Sequence, residues 1–374
     1  MSSNSIWKSV VGIAALSLAA GAQAGSNGVT VSVTPEKNML GASDDVVVNV
    51  TMTNISNSPQ YVLKWRTPFA GNSAPLFDVQ RDGAAVPYTG ALVKRKAPTQ
   101  ADYYLLKPGA SHTVKVELSS LYDMSVSGDY AIRYRTASPD LFLGSKSRIG
   151  GEVRAAGVAG AAGASAAADV LESDTASLYI EGRLPRGAAS PIMQALKLQG
   201  GEVSAAALSF SSCTASQQST ITSAISAAKT MANGSNTYMN NGVMGTRYKK
   251  WFGTVTSTRQ NTVKSHFAAI KNAFDTKNVI VDCNCNDSAY AYVYPTQPYR
   301  IYVCKAFWNA PLTGTDSKGG TLVHEMSHFN AVAGTDDHVY GQSGAASLAI
   351  SNPNQAVDNA DSHEYFAENT PALN

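Results

Sequence analysis

The chain has 374 residues, which is enough for two domains of ordinary size, and 44% of them are hydrophobic while only 15% are charged. This composition is typical of a globular protein with an uncharged surface. The formal net charge of +2 is too small to indicate nucleic acid or an acidic membrane as a partner.

The first 24 residues have the features of a secretory signal peptide. Lys8 supplies a positive charge, residues 10–21 form a short apolar core, and Ala22 to Ala24 form a cleavage site of small residues. The apolar run is too short to span a bilayer, and no later stretch of the sequence is long or apolar enough. We therefore predict a secreted, extracellular protein without a membrane span.

Six segments between residues 28 and 136 alternate apolar and polar residues, with Gly, Pro, Asn and Asp between them. This alternation predicts an antiparallel, immunoglobulin-like β-sandwich. The Ala/Gly run of residues 155–168 cannot build a core and predicts a loop. Residues 176–184 predict one more strand that returns to the sandwich. This all-β domain is assigned to residues 25–190.

The pattern changes in the second half of the chain. Residues 214–241 and 257–277 have the periodicity of helices, and three short strand patterns follow. Helical patterns resume at Gly320 and near Val357. We therefore predict a linker over residues 191–207 and an α+β, mainly helical domain over residues 208–374.

The four cysteines predict two disulfides in an exported chain. Cys283 and Cys285 are poorly placed to bond each other, so each is expected to pair elsewhere. Two pairings remain open on the residues alone: Cys213 with Cys283 and Cys285 with Cys304, or Cys213 with Cys285 and Cys283 with Cys304.

Residues 319–341 hold three of the six histidines. His324, Glu325 and His328 form the pattern H-E-x-x-H, and helix positions four apart share a face, so both imidazoles can bind one cation. Zinc is the metal expected for imidazole and carboxylate ligands in an exported protein. Glu325 would hold a water molecule and take its proton as the water attacks a carbonyl group. The same short pattern also occurs by chance in surface helices.

A catalytic zinc site needs a third protein ligand. Gly334 is predicted to end the helix and turn the chain back. Because Gly334 stands where a longer H-E-x-x-H pattern would place histidine, that ligand is excluded. Asp336, Asp337 and His338 remain as candidates.

The stretch HEMSHF…GTDDHVYG resembles the aspzincins, the deuterolysin-type metalloendopeptidases, whose signature is H-E-x-x-H followed by G-T-x-D-x-x-Y-G. The resemblance implies Asp337 as the third zinc ligand and Tyr340 as a donor to the tetrahedral oxyanion, although a core aromatic is the alternative for Tyr340. Asp336 and His338 occupy variable positions, which implies structural or solvated roles.

The resemblance covers residues 209–374, and residues before them resemble the propeptides of bacterial secreted aspzincins more loosely. The family pattern implies a zincin fold and one Zn²⁺ per catalytic domain. It also implies one of the two disulfide pairings, which joins Cys213 to Cys283 and Cys285 to Cys304.

The C-terminal stretch DNADSHEYFAEN bears on specificity. Asp361 and Glu364 share a helix face. Both acids are present in the peptidyl-Lys metalloendopeptidases, which this stretch resembles; the resemblance implies an S1′ pocket for a lysine ammonium and cleavage before lysine. A pair of solvated acids near a helix start is the alternative. Tyr365 and Phe366 are predicted to be packing residues.

A β-domain ahead of a catalytic domain of similar size suggests a latent proenzyme, in which the propeptide assists folding and inhibits its own catalytic domain. The segment of residues 91–98 carries Lys94 and Lys96, and a loop lysine could enter the S1′ pocket. A solvated basic loop is the simpler interpretation of these residues. Lys197 lies in the linker, so the activation cleavage could be autocatalytic.

These observations predict a secreted zinc endopeptidase that is a monomer and acts on protein or peptide substrates, with Glu325 as general base. One alternative differs in specificity, a deuterolysin-like protease with a broader choice of substrates. Two others differ in class: a zinc hydrolase acting on something other than peptides, and a catalytically silent surface-binding protein.

Overall fold

The computed structural model describes residues 26–41, 44–71, 73–144, 168–181 and 207–374. We call residues 26–181 the N-terminal part and residues 207–374 the C-terminal part. The predicted signal peptide, nearly all of the Ala/Gly run and the linker with Lys197 lie outside the described residues. Among the residues described, no helix has the length and apolar character needed to cross a membrane.

The N-terminal part is mostly β-structure, as the alternating patterns predict. Its strands are β1 (Val29–Pro35), β2 (Met39–Leu40), β3 (Val47–Asn54), β4 (Gln60–Leu63), β5 (Phe77–Arg81), β6 (Ala84–Ala85), β7 (Leu92–Lys94), β8 (Tyr103–Leu106), β9 (Ser111–Glu117), β10 (Gly128–Ser138), β11 (Asp169–Glu172) and β12 (Ala176–Ile180). Short 3-10 helices span Ser26–Gly28, Lys64–Arg66, Pro68–Ala70 and Gln100–Asp102.

Two of the sheets share one hydrophobic core. One sheet has the order β1-β3-β9 and the other the order β2-β12-β10-β5-β6, with β11 also paired to β10. The core takes alternate residues of each strand: Val48 and Val50 of β3 are buried together with Ile132 of β10 and Ile180 of β12. The predicted returning strand is observed as β12, which pairs with β10.

Residues 60–67 form one of the six alternating segments that predict strands, but only the first half of this segment is a strand. The strand ends at Leu63, and Lys64–Arg66 forms a 3-10 helix in which the hydroxyl of Thr67 donates to the carbonyl of Lys64. The turn directs Arg66 into the C-terminal part, where its guanidinium donates to the carbonyls of Asp337 at 2.6 Å and His338 at 2.9 Å. This long-range contact has no local signal in the sequence.

The C-terminal part is mainly helical. Its elements are β13 (Leu208–Ser211), α1 (Ala215–Asn240), α2 (Thr246–Phe252), α3 (Ser257–Thr276), β14 (Val279–Asp282), β15 (Ala291–Val293), β16 (Arg300–Val303), α4 (Lys305–Asn309), α5 (Lys318–His328), α6 (Gln342–Ser351), α7 (Pro353–Ala356) and α8 (Ala360–Glu368). The two long predicted helices are observed as α1 and α3. A capping box between Thr214 and Gln217 begins α1.

One sheet contains strands of both parts. Its order is β13-β14-β16-β15-β7, so its outer strand β7 comes from the N-terminal part. In the antiparallel pairing of β7 with β15, Lys94 lies opposite Ala291 and Leu92 opposite Val293. The interpretation of residues 91–98 as a solvated loop is therefore wrong for the residues of β7. The pairing satisfies backbone groups that the edge of β15 would otherwise expose.

Both disulfides of the family-based pairing are present, Cys213–Cys283 and Cys285–Cys304. The first connects the residue before the cap of α1 to the end of β14. The second connects the segment after β14 to the end of β16. Its Cys304 is fully buried in a small cluster with Val93 of β7, so this disulfide lies beside the shared sheet edge.

Helix α5 is buried along its whole length and packs against α1 and α8. Ser317 caps it by accepting from the backbone N–H of Gly320. The prediction that Gly334 ends this helix is wrong, because α5 ends at His328. Gly334 instead occupies a turn with φ of 62°, in which its N–H donates to the carbonyl of Phe329.

Candidate active site

Helix α5 and the loop after it bring three side chains together. The Nε2 atoms of His324 and His328 are 3.1 Å apart. Oδ1 of Asp337 lies 3.2 Å from Nε2 of His324 and 3.6 Å from Nε2 of His328. All three side chains are buried. We call these three side chains the metal cluster.

The Nδ1 atom of each imidazole, on the side away from the metal cluster, faces oxygen acceptors. Nδ1 of His328 is 2.7 Å from the carbonyl of Thr335 and therefore carries the proton. Nδ1 of His324 faces carboxylates, at 2.9 Å from Asp361 and 3.3 Å from Glu364, although neither contact is well aligned as a hydrogen bond. One ligand atom from each of His324, His328 and Asp337 lies within 4.8 Å of the other two, as the ligands of a single cation do, so the donor set fits zinc.

Internal hydrogen bonds hold the loop that carries Asp337. The side-chain oxygen of Asn359 accepts from the backbone N–H groups of His338 and Val339. Asp336 accepts from the N–H of Asp337, so it acts as a local cap. His338 pairs with Asp358 at 2.9 Å and is not part of the metal cluster.

Glu325 lies next to the first histidine of the cluster and is fully buried. Its two carboxylate oxygens accept no hydrogen bond from the part of the chain that the structure describes. Burial raises the pKa of Glu325 to about 8, against the opposing effect of His324. An unpaired carboxyl group is thus kept inside the site, where a water molecule or a substrate proton can meet it.

Asp361 and Glu364 lie one turn apart on α8, and both are fully buried. The alternative prediction of two solvated acids is therefore wrong. Asp361 also accepts from the backbone N–H of Gly341 at 2.6 Å. Tyr365 and Phe366 are buried, which confirms that they are packing residues.

Lys94 of β7 fills the space between these acids. Its Nζ lies 2.5 Å from Oε2 of Glu364 and 3.4 Å from Oδ1 of Asp361, and its side chain has no exposed surface. Burial disfavours the charged ammonium, but the carboxylates of Asp361 and Glu364 outweigh it and raise the pKa of Lys94 well above its ordinary value. Lys96, in contrast, is exposed. Of the two candidate lysines, the structure places only Lys94 among the acids.

Two further residues of this pocket were not predicted. Oδ1 of Asp316 lies 3.9 Å from Nζ of Lys94 and accepts from the hydroxyl of Tyr365 at 2.6 Å. The ring of Tyr290 lies 5.0 Å from the same Nζ. Asp316 and Tyr290 are far from Asp361 along the chain, so no local sequence pattern indicated that they belong to the same pocket.

Tyr340 is buried and contacts the N-terminal part. Its hydroxyl donates to the carbonyl of Val93 at 2.9 Å, and Trp65 packs edge-on against its ring. Tyr340 therefore holds the carbonyl of Val93, while Asp316, Asp361 and Glu364, which we call the acidic pocket, hold the side chain of Lys94.

A metal cluster beside an unpaired glutamate, with an extended strand bound along the neighbouring sheet edge, defines the site of a metallopeptidase. Residues 237–368 match the family model described as lysine-specific metallo-endopeptidase. The chain is 46% identical over 340 residues to an extracellular protease of Aeromonas hydrophila, which covers 89% of this chain and 91% of that protein.

Two fungal proteins named peptidyl-Lys metalloendopeptidase are also similar. The one from Armillaria mellea is 36% identical over 366 residues, which covers 92% of this chain and 95% of that protein. The one from Pleurotus ostreatus is 54% identical over 167 residues, which covers 44% of this chain and 98% of that protein. The chain therefore belongs to the aspzincin family of lysine-specific metallo-endopeptidases, and it is an enzyme.

The geometry of the cluster predicts which aspartate binds the metal. Replacement of Asp337 by alanine should remove most of the bound zinc, because one of three ligands is lost. Replacement of the neighbouring Asp336 should leave the zinc content nearly unchanged. Metal analysis of the two purified variants checks this, and the opposite order would exclude Asp337 as the third ligand.

The contact between Asp361 and His324 predicts an effect of the pocket on the metal. Asp361→Asn should weaken zinc binding by roughly tenfold or more, because the partner that orients His324 loses its charge. Glu364→Gln removes the more distant carboxylate and should change zinc affinity much less. Competition with a coloured chelator measures both affinities. Equal zinc affinities in the two variants would argue against an orienting role for Asp361.

Proposed function

We propose that the protein is a secreted zinc endopeptidase, made as a latent proenzyme, that cleaves peptide bonds on the N-terminal side of lysine. The observation that carries this proposal is the buried ammonium of Lys94 between Asp361 and Glu364, beside the metal cluster. The signal-peptide pattern and the similarity to an extracellular protease support secretion.

The metal cluster would hold one zinc ion through His324, His328 and Asp337. Bound zinc lowers the pKa of a water molecule and polarises a carbonyl group. The carbonyl of Thr335 accepts from Nδ1 of His328, and the carboxylate of Asp361 lies 2.9 Å from Nδ1 of His324, so each imidazole has an acidic or polar neighbour on the side away from the cluster. The protein thus prepares the ligand geometry before any substrate binds.

Glu325 and Tyr340 would carry the proton transfer and the charge stabilisation. Glu325 takes the proton of the attacking water and delivers it to the amine that leaves. The hydroxyl of Tyr340 donates to the carbonyl oxygen of the bond that is cut, where negative charge develops. Its contact with the Val93 carbonyl supports this assignment, because a peptide carbonyl in the cleft lies within reach of the hydroxyl.

Specificity would come from the charge of the pocket. Two fully buried carboxylates need a cation, and an uncharged side chain would leave them unpaired at a cost of several kcal/mol. Lysine supplies a compact ammonium at the end of a long stem, whereas the planar guanidinium of arginine is wider. Asp316 and Tyr290 add a third carboxylate and an aromatic face to the same pocket.

Latency would follow from the occupancy of this pocket by the chain itself. Lys94 fills the pocket, β7 covers the edge of β15, and Arg66 binds the loop between Asp337 and Tyr340. A substrate cannot enter until these contacts are lost. Activation cleavage in the linker of residues 191–207, by the enzyme itself or by another protease, would allow the N-terminal part to leave.

The reaction and the specificity can be tested together with three matched peptides. They differ at one position, which holds lysine, arginine or norleucine, and the products of the processed enzyme are identified by mass spectrometry. We expect cleavage before lysine alone and its loss on addition of a chelator. Equal cleavage of the three peptides would indicate a deuterolysin-like protease of broader specificity, and no cleavage would overturn the proposal.

Substitution of Tyr340 should separate catalysis from binding. Tyr340→Phe should lower kcat by roughly a hundredfold, the scale of one lost oxyanion donor, with little change in KM. Steady-state kinetics on the lysine peptide measure both constants. Glu325→Gln is the matched control, because it should retain zinc and fold but lose turnover by several orders of magnitude. A Tyr340→Phe variant with a raised KM and an unchanged kcat would exclude the oxyanion role.

Substitution of the two neighbouring lysines should identify the inhibitory one. Lys94→Ala in the isolated N-terminal part should weaken its inhibition of the processed enzyme by a hundredfold or more, because a buried pair worth about 3–5 kcal/mol is broken. Lys96→Ala removes an exposed charge and should have little effect. Inhibition constants for the two variants check this, and similar values would contradict the role of Lys94.

A further inference from the structure

We infer that the segment around Lys94 lies in the cleft as a substrate does, and that the Val93–Lys94 peptide bond is a bond that the enzyme hydrolyses in its own chain. This inference rests on the proposed function. The inference goes beyond the proposed function because a segment that only fills the pocket need not place any peptide bond in a reactive position.

The first evidence is the direction and register of β7. The strand runs antiparallel to β15 with Lys94 opposite Ala291, and the N–H of Tyr290 donates to the carbonyl of Lys94 at 3.1 Å. A peptide that adds to a sheet edge is fixed in register by such a ladder, while side-chain pockets select its residues. The ladder therefore determines which residue of the segment faces the acidic pocket.

The second evidence is the position of Lys94 relative to the bond. An enzyme that cuts before lysine binds the lysine side chain in S1′, so the bond that is cut precedes the residue in that pocket. In this structure the residue is Lys94, whose Nζ lies 2.5 Å from Glu364. The corresponding bond joins Val93 to Lys94.

The third evidence comes from a different element. The hydroxyl of Tyr340 donates to the carbonyl oxygen of Val93, which is the carbonyl of that same bond. The acidic pocket on α8 and the loop before α6 thus identify one peptide group independently. Val93 itself is buried beside Ala289 and Cys304, which holds the residue before the bond in place.

The reaction is a hydrolysis that needs only water. The oxygen of water bonds to the carbonyl carbon of Val93 while the C–N bond to Lys94 breaks. Val93 gains a carboxylate, and both protons of the water go to the nitrogen of Lys94, which becomes an α-ammonium group. A fragment that begins at Lys94 is diagnostic of this reaction, because no cleavage in the linker can produce it.

The same segment contains its own control. The Arg95–Lys96 bond also precedes a lysine, but Lys96 is exposed, and its Nζ lies 5.8 Å from the ring of Tyr290 rather than between Asp361 and Glu364. In the folded chain this second bond should stay intact. In a free peptide with the sequence of residues 89–100 both bonds are accessible, so both should be cut by the processed enzyme.

The experiment uses the full chain, prepared free of zinc with a chelator and started by addition of zinc. Mass spectrometry follows fragments that begin at Lys94 or at Lys96, over a tenfold range of protein concentration. We expect fragments beginning at Lys94 with a first-order rate that does not change on dilution, and none beginning at Lys96. Glu325→Gln, which keeps the fold and the zinc ligands, should give neither.

The possible outcomes distinguish failure of this inference from failure of the proposed function. If the free peptide is cut before lysine while the full chain yields no Lys94 fragment, or yields Lys96 fragments equally, the inferred register is wrong and the proposed function stands. A cleavage rate that rises with protein concentration would also overturn the inference, because the bond would be cut by another molecule. If the free peptide is not cut at all, the proposed function fails and the inference with it.

Discussion

The structure of the cleft depends on one buried charge arrangement. Asp361 and Glu364 are placed on a helix that is buried along most of its length, and isolated buried carboxylates are unfavourable by several kcal/mol each. Lys94 supplies the compensating ammonium from a strand more than 260 residues earlier in the chain. The N-terminal part therefore does more than cover the cleft: it provides the cation with which the pocket is electrostatically balanced. On the proposed latency, water or a substrate lysine would take over the same role when that part leaves.

Asp361 connects this pocket to the metal cluster. One of its oxygens lies 2.9 Å from Nδ1 of His324, and the other accepts from the N–H of Gly341. His324 thus faces the cluster with one nitrogen and the lysine pocket with the other. On the proposed function, recognition and metal binding share Asp361, so a change of specificity at this residue would also disturb the metal. Glu364 and Asp316 would be the positions at which specificity can be altered with less effect on His324.

The pairs of site residues that are spaced by about one helical turn could be predicted from the sequence. His324 and His328 are four apart and Asp361 and Glu364 three apart, so helical geometry alone brings each pair together. The two long helices and the alternating strands were predictable for the same reason. The pairing of β7 with β15 was not, because a three-residue strand gives too little alternation to detect and its partner lies in the other part of the chain. The early end of α5 also depends on tertiary contacts, since His328 turns its Nδ1 to the carbonyl of Thr335.

Hydrogen bonds from both parts of the chain hold the loop that carries Asp337. Which part supplies each hydrogen bond bears on the proposed activation. From the C-terminal part, Asn359 accepts from two of its N–H groups and α5 contacts it through the hydroxyls of Ser327 and Thr335. From the N-terminal part, Arg66 donates to two of its carbonyls. The first set lies within the C-terminal part, so the geometry of the metal cluster belongs to the C-terminal part itself. On the proposed latency, the N-terminal part would take with it the cation of the pocket, the strand on the edge of β15 and the guanidinium on the loop. Activation would then be the exposure of a site that is already assembled, rather than the assembly of a new one.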